Sequence, residues 1–415
     1  MVIPHNNQPA GEAEALVRQA IASDGHITFA RFMELAQLAP GVGYFRHRNP
    51  TGSQGDYFTS PLTHPAFGAL LGLQMRQVWQ LLGSPSKFSV VEMGAGRGTL
   101  GDDVLAFAER FDPDFHKALN YVAAEASPSG SFGAQQWVET INVPFRNVTG
   151  AFVANELIDA LPVHRFQIEG GKLREVYVTV ENGDLADDLG DPSTPELERY
   201  LLEQDVRLAE GFRGEVCLAG EYWLADVAEA LDQGIVLLVD YGHLAKDLYS
   251  PERKDGTLRT YFRHTLGSDP YRRVGRQDIT THVNFSHLMR TGERLGLTPV
   301  GFADQRTVLS NLGIEAFAGR LSRMGIPRGE GEAEANRYAM QELVKSDGMG
   351  NFKVLALAKD IPAANLHGFT PENPLIEELS RHANLPVPLL GPAHMPLRQD
   401  SIPNGEQEFT LESLW

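Results

Sequence analysis

Two acids, Glu92 and Glu125, each lie at the end of a short apolar run, and three alternating glycines, Gly94, Gly96 and Gly98, follow the first of them. The run Phe88-Ser-Val-Val-Glu-Met reads as a buried parallel strand, and a helix-forming stretch extends from Leu100 to Arg110. Strand, glycine turn and helix start make a site for a nucleotide-type cofactor. Glycine lets the backbone turn tightly and approach a ligand, and the unpaired N–H groups of the helix start face it. An acid just before such a turn repels a pyrophosphate. It can instead hold a cationic amino group or, through a water, the methionine part of S-adenosylmethionine. Glu125 closes Asn120-Tyr-Val-Ala-Ala-Glu125, where doubly wound sheets place the acid that accepts hydrogen bonds from ribose hydroxyls. A rival register is present. Gly96-Arg-Gly98-Thr-Leu-Gly101 satisfies the dinucleotide pattern G-x-G-x-x-G, although its first glycine falls late for the tight turn.

A second group of polar residues stands in Ala154-Asn-Glu-Leu-Ile-Asp159. It follows an apolar run, so Asn155, Glu156 and Asp159 are expected at the carboxyl edge of the sheet, where such folds bind ligands. If the chain turns helical there, Glu156 and Asp159 share a face. Two carboxylates suit a guanidinium: they engage its donors bidentately, and either can accept a proton as a nitrogen is alkylated. An acidic first helical turn, favoured by the helix dipole, accounts for the same residues without catalysis. Asp240-Tyr-Gly-His243 ends the next strand at the same edge. Tyr241 and His243 could shape an acceptor pocket and His243 move a proton near neutral pH; a histidine at a surface turn reads equally well.

The elements that must position these groups follow from periodicity. Strands are expected near 120–125, 150–155, 234–240, 296–303 and 352–358, with helical runs between most of them, including Phe67–Leu82 and roughly 312–346. That alternation implies a doubly wound α/β sheet. Two helices, Glu12–Ser23 and Thr28–Leu38 with Thr28 as N-cap, precede a Gly/Pro/Ser/Thr-rich loop at 40–65. Between about 163 and 212 the rhythm breaks into an insertion: a hairpin turning at Gly170-Gly171, an acidic loop, and a helix around 195–209. The expected division is 1–66, a helical region with a loop of the length that lids and binding loops have; 67–360, the main domain; and 361–415, a Pro-rich tail that wraps the surface or frays.

Composition limits the partners. The formal charge of −18 over 415 residues disfavours nucleic acid, whose binding rests on phosphate neutralisation by Lys and Arg. The acidic surface suits a basic protein or peptide, although solubility explains it too. One cysteine and scattered histidines make neither a disulfide nor a metal centre. A polar N-terminus without an apolar core, and no run long enough to span a bilayer, point to the cytoplasm.

Six peptides taken together resemble the MidA-like family of S-adenosylmethionine-dependent methyltransferases. They are Gly55-Asp-Tyr-Phe-Thr-Ser-Pro61, Val91-Glu-Met-Gly-Ala-Gly-Arg-Gly98, Ala154-Asn-Glu-Leu-Ile-Asp-Ala-Leu-Pro-Val-His164, Val239-Asp-Tyr-Gly-His243, Gly256-Thr-Leu-Arg259 and Asp278-Ile-Thr-Thr-His-Val-Asn-Phe285. The resemblance spans roughly residues 12–360. It implies a class I methyltransferase (Rossmann-like) fold whose last strand runs antiparallel, S-adenosyl-L-methionine as cofactor, and no metal. It also implies that Thr59, Ser60 and Pro61 fold over the cofactor. Some members methylate a protein arginine, so a protein with an accessible arginine is the expected substrate. A small-molecule acceptor, or a non-catalytic role in assembling a respiratory complex, remains open.

Overall fold

The computed structural model describes residues 11–47, 58–128, 135–321, 330–362 and 365–394. The chain forms two compact units, each built from three separate stretches.

The larger unit comprises 49–159, 220–248 and 282–415. Its centre is a seven-stranded sheet: β1 (Phe88–Met93), β2 (Leu119–Glu125), β3 (Gln136–Glu139), β4 (Val148–Asn155), β5 (Leu231–Asp240), β6 (Thr298–Asp304) and β7 (Lys353–Lys359). In space the order is β6-β7-β5-β4-β1-β2-β3. Every pairing is parallel except those of β7, which runs antiparallel to both β5 and β6. The reversed last strand is the arrangement the resemblance implied, and it replaces the all-parallel sheet that alternation alone suggests. Period-two patterning does not carry strand direction; only the route of the chain decides it. The central strands are apolar on both faces because helices cover both, as buried parallel strands require. The four-residue edge strand β3, too short to show a period, was not expected.

Two helices of this unit pack together, α1 (Ala66–Leu81) and α2 (Thr99–Phe111). Toward the C-terminus, a further helix, α3 (Gln305–Asn311), precedes Ile314–Leu321 and α4 (Glu330–Val344), which stand where helices at roughly 312–346 are expected. In the stretch 365–394 the one helix that the sequence offers, near 374–383, forms, and the segment is packed rather than frayed. Its helix α5 (Pro374–Arg381) and flanking loops bury Leu366, Leu375, Leu379, Leu385 and Val387 in the same core as β1, β4 and β5. Apolar residues spaced along a Pro-rich segment found a surface to cover, which composition cannot foretell.

The smaller unit joins 1–48, 160–219 and 249–281. The N-terminal helices therefore pack with the insertion rather than forming a region of their own: Val17, Ile21, Phe29 and Phe32 share a core with Val163, Val178, Leu258 and Ile279. The hairpin at Gly170-Gly171 joins His164–Glu169 to Lys172–Glu181 as expected. The "acidic loop" after it is instead a third strand, Asp184–Gly190, paired with Lys172–Glu181 across Asn182-Gly183. Both turn residues have positive φ, 53° and 90°, the geometry that makes Asn-Gly a hairpin signal. The expected Thr28–Leu38 helix is also revised. Thr28 caps Phe29–Met33 by accepting from the Arg31 N–H, but Glu34–Leu38 widens into a π turn. That turn aims Gln37 inward, where it bonds the Ala160 carbonyl and the Ile279 N–H. The helix expected at 195–209 stops at Leu202, and Asp205 follows with φ 53°.

Candidate active site

The site lies wholly in the larger unit, at the carboxyl ends of β1, β2, β4 and β5. Glu92, the penultimate residue of β1, is 3% exposed, and the Tyr121 hydroxyl donates to it at 3.0 Å. Burial pushes its pKa up to about 8 against the Tyr121 hydrogen bond, and the nearby charges of Glu125, Asp102 and Asp103 push the same way. At neutral pH this carboxyl is largely protonated, and a cation placed beside it would draw the proton off.

Gly94, Gly96 and Gly98 all have positive φ, 70°, 54° and 76°. Each therefore does what a residue with a Cβ does badly. A Cβ on Gly98 would strike Gln135 and Trp137, and one on Gly94 would strike Leu157, so those two also serve close packing. A Cβ on Gly96 would meet nothing within 4 Å. The amides of the loop itself, ahead of the helix start, bond within the protein. Gly94 and Ala95 donate to the Ala124 carbonyl, Gly98 to the Ala95 carbonyl, and Gly96 to Glu125 Oε2 at 2.7 Å. The turn is tied to the end of β2, so at Gly96 the open side of the backbone, not its N–H, is what a ligand would meet.

Glu125 ends β2 as expected. Its second oxygen accepts from Ala126 N at 2.8 Å. One carboxylate thus joins the glycine turn to the strand end, and carboxylate oxygens have lone pairs beyond those two bonds.

The 155–159 segment differs most from its sequence reading. It forms no helix. Glu156 sits at φ 52°, left-handed and costly for a residue with a side chain, and Pro162 follows soon after. The i, i+3 helical face and the helix-dipole explanation both fall with it. Glu156 N donates to the Val239 carbonyl at 2.8 Å, fixing the turn to β5. Glu156 Oε1 accepts from Ser60 N at 3.2 Å and from Asn155 Nδ2 at 3.1 Å, while the side chain stays half-buried. Asp159 is 4% exposed and accepts a hydrogen bond from the Tyr241 hydroxyl.

Asn155, 9% exposed at the end of β4, has a buried Oδ1 that accepts no hydrogen bond among the described residues. A buried acceptor left unmade is expensive. It fits a site whose ligand supplies a donor.

Of the lid peptide, residues 55–57 lie outside the described residues. Thr59 precedes a short helical turn, Ser60–Thr63, whose residues are all buried. Ser60 Oγ donates to Gln305, so its backbone N–H, not its hydroxyl, reaches Glu156. The Asp278–Phe285 peptide divides: Asn284 caps the helix Phe285–Arg294 through His287 N, and His282 Nδ1 lies 3.0 Å from His243 Nε2. Gly256 and Thr257 belong to the smaller unit, where Glu215 accepts from the Thr257 N–H and hydroxyl. Asp240, which the sequence marks only as the end of a strand, accepts three backbone N–H groups. Among the described residues no three His, Cys, Asp or Glu side chains cluster as a metal site.

A sheet ordered β6-β7-β5-β4-β1-β2-β3, with a glycine turn after β1 and acids at the ends of β1 and β2, defines an S-adenosylmethionine-dependent methyltransferase. Comparison with known proteins agrees. Residues 70–303 match the family of S-adenosyl-L-methionine-dependent methyltransferases. The mitochondrial protein arginine methyltransferase NDUFAF7 homolog of Drosophila melanogaster is 30% identical over 396 residues, covering 86% of this chain and 87% of its own. The human mitochondrial protein arginine methyltransferase NDUFAF7 is 28% identical, covering 71% and 72%. A Burkholderia thailandensis protein crystallised with S-adenosyl-homocysteine aligns with a TM-score of 0.77 at 27% identity, covering 89% of this chain and 98% of its own. The chain belongs to this methyltransferase family. Its cofactor is S-adenosyl-L-methionine.

Proposed function

We propose that this methyltransferase modifies an arginine side chain of a protein, with Glu156 as the principal acceptor-side acid and Asp159 assisting. The observation that carries the reading is Glu156 itself. A strained, half-buried carboxylate stands at the strand end, with one oxygen held by Ser60 N and Asn155 Nδ2. Strain of about 1–3 kcal/mol persists only where the surroundings over-determine it, which is a reason to look for function. The relatives named protein arginine methyltransferases support the same acceptor.

In this reading Glu92, Gly94, Gly96, Gly98, Glu125 and Asn155 hold the cofactor, with Thr59, Ser60 and Pro61 beside it. Glu92 balances its cationic amino group, Glu125 receives ribose hydroxyls, Asn155 Oδ1 gains its missing donor, and Gly96 leaves room for it. When bound, the cofactor supplies a methyl group activated on a sulfonium. The protein's task is to align the acceptor nitrogen and manage its proton. Glu156 pairs with the guanidinium fork through charge-assisted bonds and so orients one nitrogen. As that nitrogen gains its methyl group, the proton it loses passes to the Glu156 carboxylate.

Incubating the protein with labelled S-adenosylmethionine and an extract of its host cells tests the acceptor. Methylarginine in a labelled protein is the expected result. Label confined to small molecules, or to other side chains, overturns the arginine reading and leaves the methyltransferase. The net charge of −18 keeps nucleic acid off the expected acceptors. No helix among the described residues is long and apolar enough to cross a membrane. The expected compartment remains the cytoplasm, while the animal relatives are named mitochondrial; cell fractionation decides between the two.

A further inference from the structure

Asp240, the last residue of β5, is 1% exposed, and its carboxylate accepts three backbone N–H groups. Oδ2 takes Ile158 at 2.9 Å and Asp159 at 3.2 Å; Oδ1 takes Tyr241 at 2.9 Å. Burying a carboxylate is costly, and bonds from amides are what offset it. The donors come from two loops: the non-helical turn after β4 that carries Glu156 and Asp159, and the loop after β5 that carries Tyr241. With no helix to pair them, the amides of Ile158 and Asp159 need a partner, and Asp240 is that partner. Tyr241 then donates its hydroxyl to Asp159, tying the same loops together a second time.

We propose that Asp240 is a positioning residue for methyl transfer. It sets the backbone of the turn that aims Glu156 and Asp159, and it fixes Tyr241 against Asp159 without meeting the acceptor itself. The proposal rests on the acceptor-side reading of that turn. Burial and the charges of Asp159 and Glu156 push the Asp240 pKa well up, against the pull of the amides. A neutral carboxyl still has acceptor lone pairs on both oxygens, so the clamp holds in either protonation state.

Asp240→Asn is the test. The amide oxygen can serve Ile158 and Asp159, but the NH₂ then opposes the Tyr241 N–H, donor against donor. Hydrogen exchange measured by mass spectrometry should rise at least about tenfold in peptides covering 156–161 and 240–243, with β1 and β4 still protected. Transfer of label from S-adenosylmethionine into host-extract protein should fall roughly tenfold to a hundredfold, as small misplacements cost. Affinity for S-adenosylhomocysteine should stay within about threefold of wild type. Unchanged exchange in the two loops overturns the proposal, as does cofactor affinity falling in step with the rate. If Asp240→Asn does not fold, Asp240→Ser, which keeps an acceptor and can turn its single proton away, is read the same way. If Glu156→Gln leaves transfer untouched, the catalytic reading of Glu156 fails alone, because the exchange and affinity measurements judge Asp240 without it.

Discussion

A left-handed glutamate, a glycine with empty space above it and a buried acid with a raised pKa each make a prediction at the scale of one residue. Glu156→Gln keeps the shape and the acceptor oxygen that Ser60 N and Asn155 use, and removes only the charge. It should lower kcat by roughly a hundredfold or more, the contribution expected of a general acid–base group, with affinity for S-adenosylmethionine unchanged by calorimetry. Affinity lost with turnover intact would make Glu156 a cofactor ligand instead. Gly96→Val adds a branched side chain at φ 54°, where nothing in the protein stands within 4 Å of the new Cβ. The fold should survive with a loss of roughly 1–3 kcal/mol for the strained backbone. Cofactor affinity, in contrast, should fall at least about a hundredfold, equivalent to roughly 2.7 kcal/mol. Equal affinity in wild type and variant would show that the cofactor does not pass over Gly96.

Glu92 predicts a pH dependence. Its folded pKa, about 8, lies above the ordinary value of 4.5. The folded state therefore holds its proton longer than the unfolded chain, and stability falls as pH rises through that interval. Below about 4.5 the contribution is fully present; above about 8 it is lost. Without cofactor, the melting temperature of wild type relative to Glu92→Gln should drop between pH 5 and pH 8.5. A difference that stays flat, or grows, would show that Glu92 is not held protonated.

At the scale of elements, the C-terminal stretch matters more than its composition suggests. Helix α5 places Leu375 and Leu379 in the main core, and Leu390 N donates to Asn336 Oδ1. Asn336 Oδ1 also lies 3.0 Å from His64 Nε2, directly after the turn that carries Ser60. His64 Nδ1 accepts from Ala66 N, and burial lowers its pKa to about 3, so the ring is neutral. Leu379→Ala should cost about 2–5 kcal/mol, as deleting buried leucine atoms generally does, and a thermal melt reads it directly. A loss under about 0.5 kcal/mol, typical of an exposed site, would mean that α5 does not seal the core.

At the scale of the whole molecule, every candidate site residue among those described falls in the larger unit. That unit provides parallel strand ends, a glycine turn and acids, but no cluster of metal ligands among its described residues. Methyl transfer should therefore survive exhaustive chelation, with labelled transfer measured before and after. Activity lost to a chelator and restored by one divalent ion would require a metal that this chemistry does not call for.

The sequence by itself determined the glycine turn, both strand-end acids and every strand of the sheet but the short edge strand β3, and six peptides read together implied the cofactor class. These are local: apolar runs bounded by Gly and by acids specify strand, turn and helix with no need of distant partners. It also contained the Asn182-Gly183 hairpin, a local signal obscured by the acids around it. Tertiary structure alone decided the rest. Strand β7 runs antiparallel because of the path taken by the preceding chain. Residues 11–47 share a core with the insertion because their apolar face meets Val163 and Val178, far away in sequence. Glu156 leaves helical geometry because its amide is taken by Val239, and Ile158 and Asp159 are held by Asp240, some eighty positions on. A local pattern of acids at helical spacing gave no sign of this, because the hydrogen bonds that break the helix come from another strand.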